Sequence, residues 1–411
     1  MDYAALAAEA KQYLSFMQSN RQRFHQIPEV GLNLPQTRSA VIESIEGLGE
    51  TKLSDNLSSV TLLVKGTAPG AENGPTVLIR ADMDALPVIE DSGETFASTN
   101  GAMHACGHDL HMSIGIGAAH LVHTHRDKLA GNVLFWFQPG EEGNGGADIM
   151  LAEGSHLVAG VKPIAAYGVH VFAMYQSGIF GTKRGALMAS AGDVKVTVKG
   201  AGGHGSMPWL SKDPISVMTE MISGLPTVIT KQLSPLDPTI VNVCWVEAGS
   251  GKATNVTPTE ASFGATIRTF SDEHFDKVRA VTRRYFEGIA AAHGVEVDVE
   301  YDQQSGHATK VLINDDSAVA RVERVAPQVL GAGRYINLKD PTPGGEDFAS
   351  VLKEIPGAFI FVGACPPDLD PATAPNNHSA QVRFDDTVMP EASALLASLA
   401  FDTLDEAAAK A

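Results

Sequence analysis

The sequence predicts an α/β fold with a ferredoxin-like α+β domain inserted into it, and three observations lead there. Short aliphatic runs at 60–64, 77–80, 132–137 and 164–171, bounded by glycine and proline, alternate with helical stretches, as strands buried in an open sheet do. Near residue 188 the pattern changes to apolar–polar alternation, that of a sheet with one wet face. From there the elements run β-α-β-β-α-β, a split ferredoxin-like unit. The expected organisation is a first domain in two parts, 1–187 and 303–411, around an insertion at 188–302.

Residues 1–20 read as an amphipathic helix carrying Leu6, Tyr13, Leu14 and Met17, closed off before Pro28. A second helical stretch covers 36–48 and ends at Gly49. The run at 77–80 delivers Asp82 and Asp84 at the carboxyl end of a strand, the edge where open α/β sheets bind ligands. After Cys106 and His108 comes a glycine-tolerant helix, beyond which His120, His123 and His125 read as solvated helix-end residues. The strand at 132–137 opens into Gln138-Pro139-Gly140-Glu141-Glu142-Gly143; a short helix at 147–153 and a strand carrying His170 follow. Within the insertion, Val194, Val196 and Val198 alternate with polar residues, and Asp213-Pro214 is an N-cap with proline at the first helical position, opening a helix to Lys231. Strands at 239–246 and 261–267, a helix at 272–293 and a strand at 295–299 complete the unit. Helices at 316–330 and 388–404 and a strand at 358–362 return to the first domain, with 406–411 expected to fray.

Composition narrows the function classes. A net charge of −18 argues against a nucleic-acid-binding surface. No apolar run is long enough to span a bilayer and the N-terminus lacks the layout of a signal peptide, so neither a membrane partner nor export is expected. Three cysteines, Cys106, Cys244 and Cys365, do not make a disulfide framework and fit a reducing cytoplasm.

The stretch Met103-His-Ala-Cys106-Gly-His108-Asp109 is the centre of the functional reading. A thiol and an imidazole flanking a glycine can converge on one borderline divalent cation. Alone, such a pair is also what a buried cysteine near a helix start looks like; its company favours the metal. In the extended or turn backbone at Glu141 and Glu142 the two carboxylates point in different directions, so one is free to bind a cation while the other faces a water. With Cys106, His108, Glu142, His170 and His378, and Asp84 behind them, the candidate ligands exceed what one tetrahedral ion needs. Two ions about 3.5–4 Å apart accommodate the set. Cys/His/Glu donors suit zinc, with manganese or cobalt as chemical alternatives.

The sequence resembles the dinuclear metallopeptidase and amidohydrolase family of aminoacylase, hippurate hydrolase and the plant auxin-conjugate (IAA-amino acid) hydrolases. The matching pieces are Arg80-Ala-Asp-Met-Asp-Ala-Leu-Pro87, Met103–Asp109, Phe137-Gln-Pro-Gly-Glu-Glu-Gly143, Gly203-His-Gly-Ser-Met-Pro208, Asn255-Val-Thr-Pro258 and Gly345-Glu-Asp-Phe348, in the family's order along almost the whole chain. The resemblance implies a metallopeptidase-like catalytic domain, an inserted dimerisation domain and a homodimer. By the same likeness Cys106, His108, Glu142, His170 and His378 are metal ligands, Glu141 is the general base, and Asp84 orients a histidine or tunes the ions. It further implies that His204, supplied by the partner subunit, donates to the oxyanion, while Asn255 and Arg268 are candidate anchors for the substrate carboxylate. Gly140, Leu110 and Gly345 depart from residues common in the family; none removes a ligand, and they bear on the acyl pocket.

The expected activity is hydrolysis of the amide of an N-acyl amino acid, with a dipeptidase or carboxypeptidase as the alternative the same site would serve. A silent scaffold is a third reading, disfavoured because every ligand is retained, and oxidation of Cys106 is a route to redox control.

Overall fold

A computed structural model describes residues 1–302 and 308–410; residues 303–307 and Ala411 lie outside the described residues, and with them the expected boundary after 302. The chain divides into two units, one formed by 1–187, 313–340 and 347–411, the other by 188–312 and 341–346.

In the first unit, Thr76–Asp82, Asn132–Gln138 and Gly357–Gly363 are buried at every residue, as is nearly all of Ala165–Phe172. Uninterrupted burial is what parallel strands need when both faces are covered. Thr76–Asp82 pairs in parallel with Asn132–Gln138 on one side and Ala165–Phe172 on the other, and Gly357–Gly363 continues the parallel run. Four further strands extend this into an eight-stranded sheet. The register sets Asp82 opposite Gln138, so the chain leaves both strands at the same carboxyl edge. His108–Thr124 and Met389–Lys410 contribute long buried stretches to its core.

The second unit is a four-stranded antiparallel sheet in the order Thr239–Ala248, Glu260–Thr269, Ser190–Lys199, Glu296–Tyr301. Along Ser190–Lys199 burial alternates residue by residue, with Val194, Val196 and Val198 inward. They pack with Phe263 and Ile267 against Val217, Met221 and Leu225 of Pro214–Gln232 and Val278 and Phe286 of Asp272–His293. Each large apolar side chain buried there stabilises the unit by about 1.5–3 kcal/mol. Asp213 caps Pro214–Gln232 by accepting from Ile215 N and Ser216 N, and Ser271 caps Asp272–His293.

Several local expectations are corrected. The opening helix is broken into Tyr3–Ala10, a 3₁₀ turn at Lys11–Tyr13, and Leu14–His25. The second helix stops at Ser44, and the polar, exposed edge strand Glu50–Leu53 follows, which carries no apolar pattern to announce it. His120, His123 and His125 are half-buried rather than fully solvated, their rings bonding Ser44 O, Leu48 O and Glu9. The last helix runs to Lys410 rather than fraying, because Arg321 bonds both Asp402 and Glu406. All three cysteines are free, and among the described residues no helix is long and apolar enough to cross a membrane.

Candidate metal centre

The centre is assembled at the carboxyl edge of the eight-stranded sheet. Gly107 has φ +88, and a β-carbon there would run into Val171 Cγ2, so glycine alone allows the turn between Cys106 and the helix that begins at His108. His108 donates from Nδ1 to the carbonyl of Asp84 at 2.8 Å, which fixes its tautomer and leaves Nε2 facing the centre. The Asp84 carboxylate accepts the backbone amides of Glu141 (2.9 Å) and Glu142 (3.0 Å), one per oxygen. A single aspartate therefore holds both glutamates through their backbone and His108 through its own carbonyl.

Cys106 Sγ lies 3.4 Å from His170 Nε2 and 3.3 Å from His378 Nε2. His378 Nε2 is 3.4 Å from Glu142 Oε1, and His108 Nε2 is 3.9 Å from both Glu141 Oε2 and Glu142 Oε1. Two trios overlap at the thiol, Cys106–His108–His170 and Cys106–Glu142–His378, and His108, Glu141 and Glu142 form another beside them, the donor atoms of each group within 4.8 Å of one another. Their donor atoms fit divalent cations by type, and two of them, His108 Nε2 and Glu142 Oε1, are buried without a hydrogen-bond partner. Buried polar atoms are ordinarily paired, so a pair left open at the meeting point of thiol, imidazole and carboxylate marks where a cation completes the set.

Electrostatics favour ligation at His170 and Glu142 and oppose it at His378, whose proton a cation would have to displace. Burial, reinforced by His111, holds the His170 pKa well below the ordinary histidine range and keeps the ring neutral, while its Nδ1 donates to Val171 O at 2.9 Å. A hydrogen bond with Cys106 and the nearby carboxylate of Glu142 push His378 up to about 10. Burial opposes the Glu142 charge, but His378 and His108 outweigh it and lower its pKa. His378 is also one of two non-glycine residues at positive φ among those described (+72).

Residues that the sequence left without a role stand behind these groups. Asp82, fully buried, takes His111 Nδ1 at 2.6 Å and Arg80 Nη1 at 2.5 Å, and His111 Nε2 accepts Val171 N at 2.9 Å. Asp347 in turn accepts from Arg80, Gln138 and Ala147 N. A histidine three positions after His108, on the same helical face, was the available signal for His111.

The other sequence candidates belong to the second unit. His204 is exposed in the short strand Gly203–His204, which pairs with Val256–Thr257, and its Nδ1 accepts from Ser206 Oγ at 2.9 Å. His204 and Asn255 line an open cleft of about 1260 Å³. Arg268 is outside that lining; its Nη1 is engaged with Thr266 Oγ1 (2.6 Å) and Ile267 O (2.9 Å) of its own strand.

Residues 78–402 match the model of peptidase family M20/M25/M40. The chain belongs to this family. As a member of M20/M25/M40 it is a metal-dependent amide hydrolase. It is 36% identical over 351 residues to an N-acetylcysteine deacetylase of Bacillus subtilis (strain 168), covering 84% of this chain and 87% of the relative. It is 32% identical over 346 residues to thermostable carboxypeptidase 1 of Saccharolobus solfataricus, covering 84% of each. Among solved structures, the Bacillus subtilis YXEP protein, a dinuclear metal-binding peptidase of family M20, superposes with a TM-score of 0.77 at 30% identity over 96% of this chain and 99% of that one.

Proposed function

We propose that this M20/M25/M40 enzyme hydrolyses the amide bond of N-acyl amino acids, releasing a carboxylate and the free amino acid. The observation that carries the reading is Cys106 Sγ within 3.4 Å of two imidazoles from separate segments, with His108 Nε2 and Glu142 Oε1 open beside it. Cys106, His108, Glu142, His170 and His378 would hold two divalent cations, zinc by donor type, with manganese or cobalt as substitutes. When bound, the pair supplies Lewis acidity to the scissile carbonyl and lowers the pKa of the attacking water. Glu141, adjacent to the ligand Glu142, takes the proton of the attacking water and returns it to the leaving nitrogen. Asp84 keeps both glutamates in place through their amides. His204 donates to the carbonyl oxygen as it gains charge, contributed by the second copy of a homodimer. Asn255 anchors the product carboxylate; Arg268, already bonded within its sheet, is the second candidate. The cytoplasm is the proposed compartment, given cysteines that form no disulfide.

Likeness to a carboxypeptidase supports a second reading, cleavage of short peptides. One experiment separates them: mass-spectrometric product analysis of N-acetyl, N-benzoyl and long-chain N-acyl amino acids beside matched dipeptides, with zinc- or manganese-loaded protein. Free amino acid released from the acylated set and abolished by chelator is the expected result. Turnover confined to the dipeptides would transfer the assignment to peptidase.

A further inference from the structure

Immediately before His378 stands a half-buried side chain whose polar atoms all reach other segments of the centre. Asn377 Nδ2 donates to the backbone carbonyls of Cys106 (3.2 Å) and Val171 (2.9 Å), and its Oδ1 accepts from Ala173 N (3.1 Å). Carbonyls on the nitrogen side and an N–H on the oxygen side fix the amide's orientation. The Val171 carbonyl is also the acceptor for His170 Nδ1, so the asparagine braces the group that keeps the His170 proton away from Nε2. On the other side, the chain enters the left-handed region at His378, whose N donates to Ala105 O at 2.8 Å. A non-glycine residue holds such a conformation only where its surroundings over-determine it.

Resting on the two-cation reading above, we infer that Asn377 is a positioning residue of the centre, setting His170 and His378 around the Cys106 thiolate. One amide thus ties together ligand segments near residues 106, 170 and 378, far apart in the chain. Aspartate at this position would have no hydrogen to give either carbonyl, and alanine would leave all three partners to water.

The test is cobalt(II) binding by the metal-free full-length protein, comparing wild type with Asn377→Ala and with Asn377→Leu, which approximates the shape without the polar atoms. Gln381→Ala is the control for the same segment. Affinity is read by competition with a chromophoric chelator, thiolate coordination by thiolate-to-cobalt charge-transfer absorption, and the fold by melting the metal-free protein. The expected result is affinity about 10–100-fold weaker and an altered absorption band in both Asn377 variants. Their metal-free melting should stay at the wild-type temperature, and Gln381→Ala should bind normally. Wild-type affinity and spectrum in either Asn377 variant would overturn the inference, as would a loss of affinity accounted for by collapse of both metal-free variants. Wild-type protein that binds no cobalt would instead bring down the two-cation reading itself, so the two failures are distinguishable.

Discussion

The two units present their candidate groups in opposite ways. In the first, Cys106, His108, His170 and Asp84 are nearly sealed from solvent, with His378 exposed at the rim, and most of the rings and carboxylates are held by bonds to backbone atoms of neighbouring segments. In the second, His204 is exposed and, among the described residues, its imidazole bonds only to Ser206, two residues away. The first arrangement is preorganised, its geometry determined before any substrate arrives. The second leaves its groups at a surface, where they act once something is presented to them. Substitution should therefore separate chemistry from presentation.

The largest effect is expected from Glu141→Gln, which removes the proton acceptor and leaves the ligand set intact. We expect kcat to fall by about 10²–10⁴ with the bound-cation count unchanged, checked by steady-state kinetics beside elemental analysis. A variant retaining wild-type kcat would end the role of Glu141 as base. His204→Ala comes next, with kcat lower by about 10²–10³ if the imidazole donates to the developing oxyanion. Thermal melting should not move, because the side chain is exposed. A rise confined to KM would place His204 in recognition instead and sharpen the contrast between the units. Asp84→Asn should be milder, about 10–100-fold in activity or metal affinity, because one of the Glu141 and Glu142 amides then faces an NH₂ group.

The smallest effect concerns stability. His25 is buried with Nδ1 2.9 Å from Asp109 and Nε2 3.0 Å from Glu90; Arg21 also bonds Asp109, and the His104 ring lies 6.4 Å away. Burial disfavours its charge, yet the two carboxylates push its pKa up to about 9. A pKa raised by folding adds stability that is complete below the unfolded value, about 6.5, and is lost as pH climbs through 9. The margin of wild type over His25→Gln in denaturant midpoint should therefore shrink between pH 6.5 and 9, and a constant margin across that range would contradict the charged assignment.

Much of this was legible in the residues, for reasons that differ by region. The second unit is written in period-2 alternation and two capped helices, local signals that burial obeys residue by residue along Ser190–Lys199. Strands of the first unit announce themselves as apolar runs with glycine or proline nearby. The ligand candidates could be picked out because cysteine, histidine and paired glutamates at strand and helix ends have few competing explanations. What the sequence left hidden was second-layer geometry. Asp82 reads as one half of an acidic pair, and nothing in the order of residues says that it bonds His111 while Asp84 takes the Glu141 and Glu142 amides. Asn377 looks like a loop residue until three segments, distant in sequence, close around its amide. Glu50–Leu53 escaped because an exposed edge strand carries no apolar periodicity, and the helix through Lys410 because ion pairs to Arg321 outweigh the expectation of fraying.

The central claim is that Cys106 is the shared ligand of a two-cation centre in the first unit. Elemental analysis of wild type and Cys106→Ala, each reconstituted with zinc and freed of loose metal, tests it most directly. The account predicts two ions per wild-type chain and a loss reaching both positions in the variant, to fewer than one retained. Two tightly held ions in Cys106→Ala would contradict it and place the centre on the histidines and carboxylates alone.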